Sequence, residues 1–405
     1  MRSTGLLSAV AVLLAACAGL RSGPGTQPPE SALLLGSSSG VVSIDPGTGS
    51  VLFDGPGVPA LGDWSTVFTA SIGSGITSLE AVESATGEVL STVPITGNLD
   101  IRVASSDGSQ VALMAPLPEG GSPWIPEPRA RTKIVVADPT GARDPKTYRL
   151  RGNLEPEAFS TDDRGLFLIR YVPPTAPTGY RVARLDLADG EVHQVATGAK
   201  GIVETMSGTR LEQVGSPDGT MLYTLYTTQP PEYAEARHQD GRPIAFVHTL
   251  SLDEGWAHCI GLPEELWGGD PADQAVALSP DGRLLYVVDT ARDILAVMDT
   301  SKLASVAHHL DFDPSGGDAQ AAVGPDGTLF VATGTRVASF DPTTLTAGPT
   351  WTTGDQVAAL GPVPEGLAVA MPGRVTVFEP STGRHVRAIP SPAVEDLTYV
   401  GLLEP

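Results

Sequence analysis

The chain of 405 residues carries 46 glycines, 36 prolines and only 18% charged side chains, with a formal charge of −22 at pH 7. So acidic a surface repels nucleic acid and anionic lipid head groups, which excludes a nucleic-acid-binding role, and it favours cationic partners or Ca²⁺. Two cysteines rule out a disulfide-rich scaffold.

The N-terminus reads as an export signal. Arg2 precedes an apolar stretch from Leu6 to Ala16, too short for a bilayer, which takes about 18 or more apolar residues. Leu14-Ala15-Ala16-Cys17 resembles the bacterial lipobox, which implies cleavage before Cys17 and a lipid anchor on that residue. The expected organisation is a signal peptide over 1–16, a lipidated N-terminus and flexible leash over 17–31, and one domain over 32–405. This places the protein in the cell envelope, on the outer face of the cytoplasmic membrane or on the outer membrane; Ala18, where Asp would favour inner-membrane retention, points to the second. Once Cys17 is acylated, Cys259 is the remaining thiol. It lies in a predicted strand, Ala257 to Ile260, as a small buried apolar side chain.

From Ala32 onward two kinds of turn alternate. Ser279-Pro280-Asp281-Gly282 combines a fixed φ, a side chain that caps its own turn and a left-handed position suited to glycine. Related turns stand at Ser105 to Gly108, Asp162 to Gly165, Ser216 to Gly219 and Gly324 to Gly327. A second class, Asp-Pro-x-x or similar, begins at Asp45, Asp138, Asp186, Asp341 and Glu379. Between them run short segments rich in Val, Leu and Tyr that read as strands. Recurrence at roughly 40 to 50 residues indicates four-stranded sheets arranged radially: an all-β propeller with a single domain.

Blades are predicted near 62–94, 100–150, 156–197, 211–262, 274–310, 319–352 and 356–390. An eighth would combine N-terminal strands at Ala32 to Ser37, Val41 to Asp45 and Val51 to Asp54 with an inner strand within Val394 to Leu403, closing the ring. Seven blades is the alternative, because 62–94 lacks a clear inner turn.

The links between second and third strands are unequal. Most are a few residues, but three consecutive blades carry Pro116 to Thr132, Pro173 to Gly179 and Gln229 to Pro243. Strand alternation puts these links on one face, where loop insertions in repeat proteins mark binding surfaces. Their aromatic and basic residues, Trp124, Arg129, Arg131, Tyr171, Tyr180, Tyr233, Arg237 and His238, are therefore the candidate binding residues.

Catalytic patterns are weak. Gly36-Ser37-Ser38-Ser39-Gly40 fits G-x-S-x-G but sits between two strands rather than at a strand-to-helix elbow. The seven histidines lack metal spacing, His308 and His309 point to opposite faces of a strand, and His248, Asp253 and His258 fit structural roles. Asp311, Asp313 and Ser315 copy the opening of an EF-hand loop without its closing Glu, making Ca²⁺ the one cofactor the spacing suggests. There is no P-loop and no dinucleotide fingerprint.

Residues 274–310, and less closely 211–226 and 319–341, resemble the YVTN-type, WD40-like repeat of bacterial surface propellers, through Ser279-Pro280-Asp281-Gly282, Tyr286-Val287 and Val297-Met298-Asp299. The resemblance implies a propeller lipoprotein used for binding or scaffolding and brings no catalytic residue with it. The sequence expectation is an exported, lipid-anchored module that binds a protein or glycan through its long-loop face, touching the membrane only through Cys17. The alternative is a propeller enzyme, lactonase-like or a quinone-dependent dehydrogenase, disfavoured because the inner strands at 211–216, 274–279 and 357–361 read as small or apolar. A subunit of outer-membrane assembly machinery is a third reading.

Overall fold

The computed structural model describes residues 31–37, 40–60, 63–118, 127–196, 205–206, 209–227, 245–310, 312, 317–392 and 397–403. Eight four-stranded antiparallel sheets stand in a ring. Three strands open the chain: β1 (Ala32–Ser37), β2 (Gly40–Ile44) and β3 (Val51–Gly55). Blade 1 is β4 (Val58–Ala60), β5 (Asp63–Gly73), β6 (Ile76–Glu83) and β7 (Val89–Thr96). Blade 2 follows as β8 (Asp100–Ala104), β9 (Val111–Met114), β10 (Arg131–Ala137) and β11 (Lys146–Arg151). Blade 3 is β12 (Asn153–Phe159), β13 (Gly165–Val172), β14 (Gly179–Asp186) and β15 (Val192–Gln194). Blade 4 is β16 (Thr209–Gly215), β17 (Met221–Thr227), β18 (Phe246–Ser251) and β19 (Ala257–Gly261). Blade 5 is β20 (Gln274–Leu278), β21 (Leu284–Asp289), β22 (Ile294–Asp299) and β23 (Ala304–His309). Blade 6 is β24 (Gln320–Val323), β25 (Leu329–Thr333), β26 (Arg336–Phe340) and β27 (Ala347–Thr352). Blade 7 is β28 (Ala359–Val363), β29 (Gly366–Met371), β30 (Arg374–Glu379) and β31 (Arg384–Pro390).

β32 (Leu397–Leu403) completes blade 8 as the innermost strand beside β1, in the order β3-β2-β1-β32. The ring is thus closed by hydrogen bonds between the two ends of the chain, Ala32 opposite Leu403 and Leu35 opposite Val400, so that β1 is paired on both edges. Of the two blade counts eight is observed. Blade 1 exists in full, but its inner strand is the short β4, joined to β5 without the Ser-Pro-Asp-Gly turn by which such a strand is recognised.

The turns explain the repeat. At Ser279 the hydroxyl donates to Asp281 Oδ1 (2.6 Å) and accepts from Leu284 N–H (2.9 Å), while Gly282 sits at φ 71°. The Asp45, Asp138, Asp186 and Asp341 carboxylates accept backbone N–H groups two residues on, which locks the outer hairpins.

Apolar clusters lie between adjacent blades. Leu113, Val135 and Ala137 of blade 2 meet Leu79, Val93 and Ile95 of blade 1, and Ile134, Tyr148 and Leu150 on its other side meet Leu166, Leu168 and Leu185 of blade 3. At the seam Trp64 stacks on Tyr399, with centroids 4.1 Å apart. Cys259 is half-buried, its Sγ 3.2 Å from Met206 Sδ.

Candidate functional site

Inner strands run from an upper face, which receives the connectors between blades and the second-to-third links, to a lower face holding the tight turns. Ala32 and Leu403 both lie at the lower face, so the ends of the described domain are opposite the long links.

On the upper face two of the three long links join. Arg129 N–H donates to Pro174 O (3.0 Å), and Asn153 Nδ2 reaches Glu127 O (3.0 Å) and Pro174 O (3.3 Å). Trp124 and the third link's Tyr233, Arg237 and His238 lie outside the described residues, as do Asp311, Asp313 and Ser315. Among the described residues no group of three His, Cys, Asp or Glu side chains is disposed to hold a metal ion.

Two candidate binding residues need correcting. Tyr171 and Tyr180 are only 7% and 5% exposed. They are a cross-strand pair at the root of the blade 3 link, and Tyr180 stacks on Tyr226, which stacks on Phe246 at the root of the blade 4 link. An aromatic ring beside a loop in sequence turns inward when the strand's alternation assigns it to the interblade face; these tyrosines hold the loops from beneath. Arg129 is also engaged, donating to Leu154 O (2.8 Å) and pairing with Glu155. Arg131 is exposed. His248 is buried edge-on to Tyr226, Asp253 accepts from Thr161, and His308 and His309 are exposed on an outer strand. Ser37 and Gly40 bond to each other in the β1–β2 turn, while Ser38 and Ser39 lie outside the described residues.

The channel wall is more polar than the sequence suggested. Glu155 of β12 pairs with Arg129 and lies 3.7 Å from Arg102 of β8. Glu157 accepts from Gln213 of β16 (2.7 Å), and Glu212 accepts from Val276 N–H of β20 (2.6 Å). Register shifts interrupt β8 at Ile101/Val103, β12 at Pro156/Ala158 and β16 at Arg210/Glu212. Bulges there re-aim Arg102 and Glu157 against the regular alternation, and a third precedes Glu212, so counting by twos along the strand misses these residues. The usable signal was the density of charge in Asn153-Leu154-Glu155-Pro156-Glu157, at an inner-strand position.

At the upper mouth of the channel is a cavity of about 540 Å³, framed by the beginnings of β20, β24, β28 and β32 and by Glu212. Its polar wall comprises Glu212, Gln274, Asp318, Gln320 and Gln356; Pro271, Val357, Ala358, Pro372 and Leu397 supply apolar surface. Gln356 Nε2 donates to Asp318, joining the connectors into blades 6 and 7. No cationic side chain lines the cavity among the described residues. Glu212 is reachable from the channel but enclosed by protein, and this burial pushes its carboxyl up to about 7 against the opposing effect of the Val276 N–H. Burial likewise raises the Glu155 carboxyl, outweighing Arg129 and Arg102, and lowers the Arg102 guanidinium.

No protein-family model and no curated protein sequence matches the chain. Solved structures do. Apo AztD from Citrobacter koseri superposes with a TM-score of 0.55 at 11% identity, over 92% of this chain and 98% of that one. The dihydro-heme d1 dehydrogenase NirN in complex with DHE gives a TM-score of 0.52 at 12% identity, over 94% of this chain and 76% of that one. Both likenesses establish the propeller fold and carry no activity across.

Proposed function

We propose that the chain is an exported, lipid-anchored propeller that binds an uncharged, hydroxyl-rich ligand, the end of a glycan, at the upper mouth of its channel, with the long links as a collar. The observation that carries this reading is the cavity wall. Carboxylate and carboxamide groups pair with hydroxyls in both donor and acceptor senses, the intervening apolar surface suits the C–H faces of a sugar, and the lack of a lining cation disfavours acidic ligands. The position of the described domain's ends supports the anchor. A leash running from Cys17 to Ser31 would leave at the lower face and turn the cavity away from the membrane.

A panel of neutral, amino and acidic glycans on an array, followed by calorimetry, tests this. Binding of neutral glycans that weakens when Gln320 and Gln356 are changed to Leu supports it; exclusive binding of acidic glycans, or indifference to both substitutions, rejects it.

A second reading is favoured by Glu212. A carboxyl that titrates near neutrality beside a cavity meets the requirement for general acid–base chemistry, and so keeps a propeller hydrolase acting on a lactone or glycoside in view. Turnover of such a substrate that Glu212→Gln abolishes, with ligand binding intact, would establish that role; binding without turnover leaves the protein a binding module.

A further inference from the structure

A ladder of like charges runs along the outer half of blade 2. Arg131 and Lys133 of β10 stand directly opposite Arg151 and Arg149 of β11. The four side chains therefore share one face of the sheet, while Thr132, Ile134, Tyr148 and Leu150 are buried on the other. Like charges directly opposite each other destabilise a sheet, and here two such pairs follow in succession. Nothing offsets them: among the described residues no carboxylate forms an ion pair with any of the four, and Arg131, Arg149 and Arg151 are exposed. Further down the same face Val135 and Ala137 pack against Leu79, Ala81, Val93 and Ile95 of blade 1, so the ladder is on the side of blade 2 turned toward blade 1. Blade 3 turns a second cationic pair toward the opposite face of blade 2. Arg170 and Arg181 are again directly opposite, and a Cβ on Gly152 would lie 3.9 Å from Arg170 Nε. Four cations thus share one sheet face in a chain whose formal charge is −22.

We propose that this cationic face of blade 2 is a docking surface for a linear anionic polysaccharide. It goes beyond the cavity reading and does not depend on it. Along each strand the charges repeat at about 6.7 Å, a regular spacing that a polymer with a charge on every repeat can meet several times, with guanidinium groups engaging carboxylate or sulfate in bidentate fashion. The ladder looks into the cleft between blades 1 and 2, where a flat bilayer cannot follow. An acidic peptide would need an apolar anchor, and β10 and β11 expose no large hydrophobic side chain.

The test measures binding to immobilised heparin and to hyaluronate oligosaccharides as a function of salt. Three proteins are compared: the wild type, a ladder variant (Arg131→Gln, Lys133→Gln, Arg149→Gln, Arg151→Gln) and a control losing the same formal charge at lower-face turns (Arg164→Gln, Arg283→Gln, Lys302→Gln, Arg384→Gln). The expected result is salt-sensitive binding by the wild type and control, about tenfold or more weaker in the ladder variant. The ladder variant should melt no lower than the wild type, since like-charge repulsion is removed. Absence of wild-type binding, equal loss in the control, or stronger capture by phosphatidylglycerol vesicles or poly-glutamate than by heparin would overturn the assignment.

Discussion

The Glu212 carboxylate accepts a hydrogen bond from the Val276 amide at 2.6 Å, bridging the inner strands of blades 4 and 5 inside the channel. An inner strand pairs on one side only, so its remaining N–H groups need other acceptors, and Glu212 supplies one at the edge of the cavity.

Burial of the Glu212 carboxyl, which the Val276 bond only partly offsets, makes stability depend on pH. The Glu212 pKa in the fold, about 7, is raised above its ordinary value of 4.5. Its contribution is therefore complete below about 4.5 and lost as pH rises through about 7, amounting to about 3 kcal/mol over that window. Glu212→Gln keeps an acceptor for Val276 and removes the ionisation. Denaturant melts from pH 4.5 to 7.5 should show a smaller decline in the variant; parallel curves would refute this role.

The turn that opens β13 departs from its relatives. Where they place glycine, Asp163 adopts a left-handed φ of 54°. Burial, with Asp107 close by, holds its carboxyl up to about 6, so its ionisation also works against folding as pH rises through that value. Asp163→Gly should raise stability by about 0.5–1 kcal/mol at any pH through relief of the backbone strain, with a further gain at pH 7 from removal of the ionised carboxyl, read as an upward shift in the melting temperature that is smaller at pH 4.

Ring closure depends on a bare backbone at Gly361. A Cβ there would press far inside van der Waals contact with the Val400 carbonyl of the closing strand. Gly361→Ala should cost about 1–3 kcal/mol and increase amide exchange in β32 before it does so in blades 3 to 5. Uniform exchange across the ring would argue against a seam that opens first.

The aromatic stack beneath the loops gives a contrasting expectation. Tyr180→Ala removes a buried ring from the contact between blades 3 and 4 and should destabilise by about 3–5 kcal/mol. Calorimetry should find ligand affinity per folded molecule preserved; loss of affinity at full stability would return Tyr180 to the ligand.

The fold was legible because its turns are chemically explicit: Ser279, Asp281 and Gly282 announce a hairpin, and repetition turns hairpins into blades. Blade 1 was ambiguous because the entry to β5 lacks that chemistry. Of the three long links expected on one face, the bond between Arg129 and Pro174 joins two, and the third lies largely outside the described residues. Side-chain direction was less accessible. Tyr171 and Tyr180 looked like a rim and proved to be a core, while Arg102, Glu155, Glu157 and Glu212 lie on inner strands whose bulges break the alternation used to read them. The cavity itself is assembled from the starts of strands far apart in sequence, and no local pattern encodes it.

The most direct test is a crystal structure of the protein with a neutral glycan selected from the array. The account predicts a sugar unit seated at the upper channel mouth, with hydroxyls bonded to Gln320, Gln356 or Glu212; a ligand held at the lower face or on the outer strands, with that mouth unfilled, would contradict it.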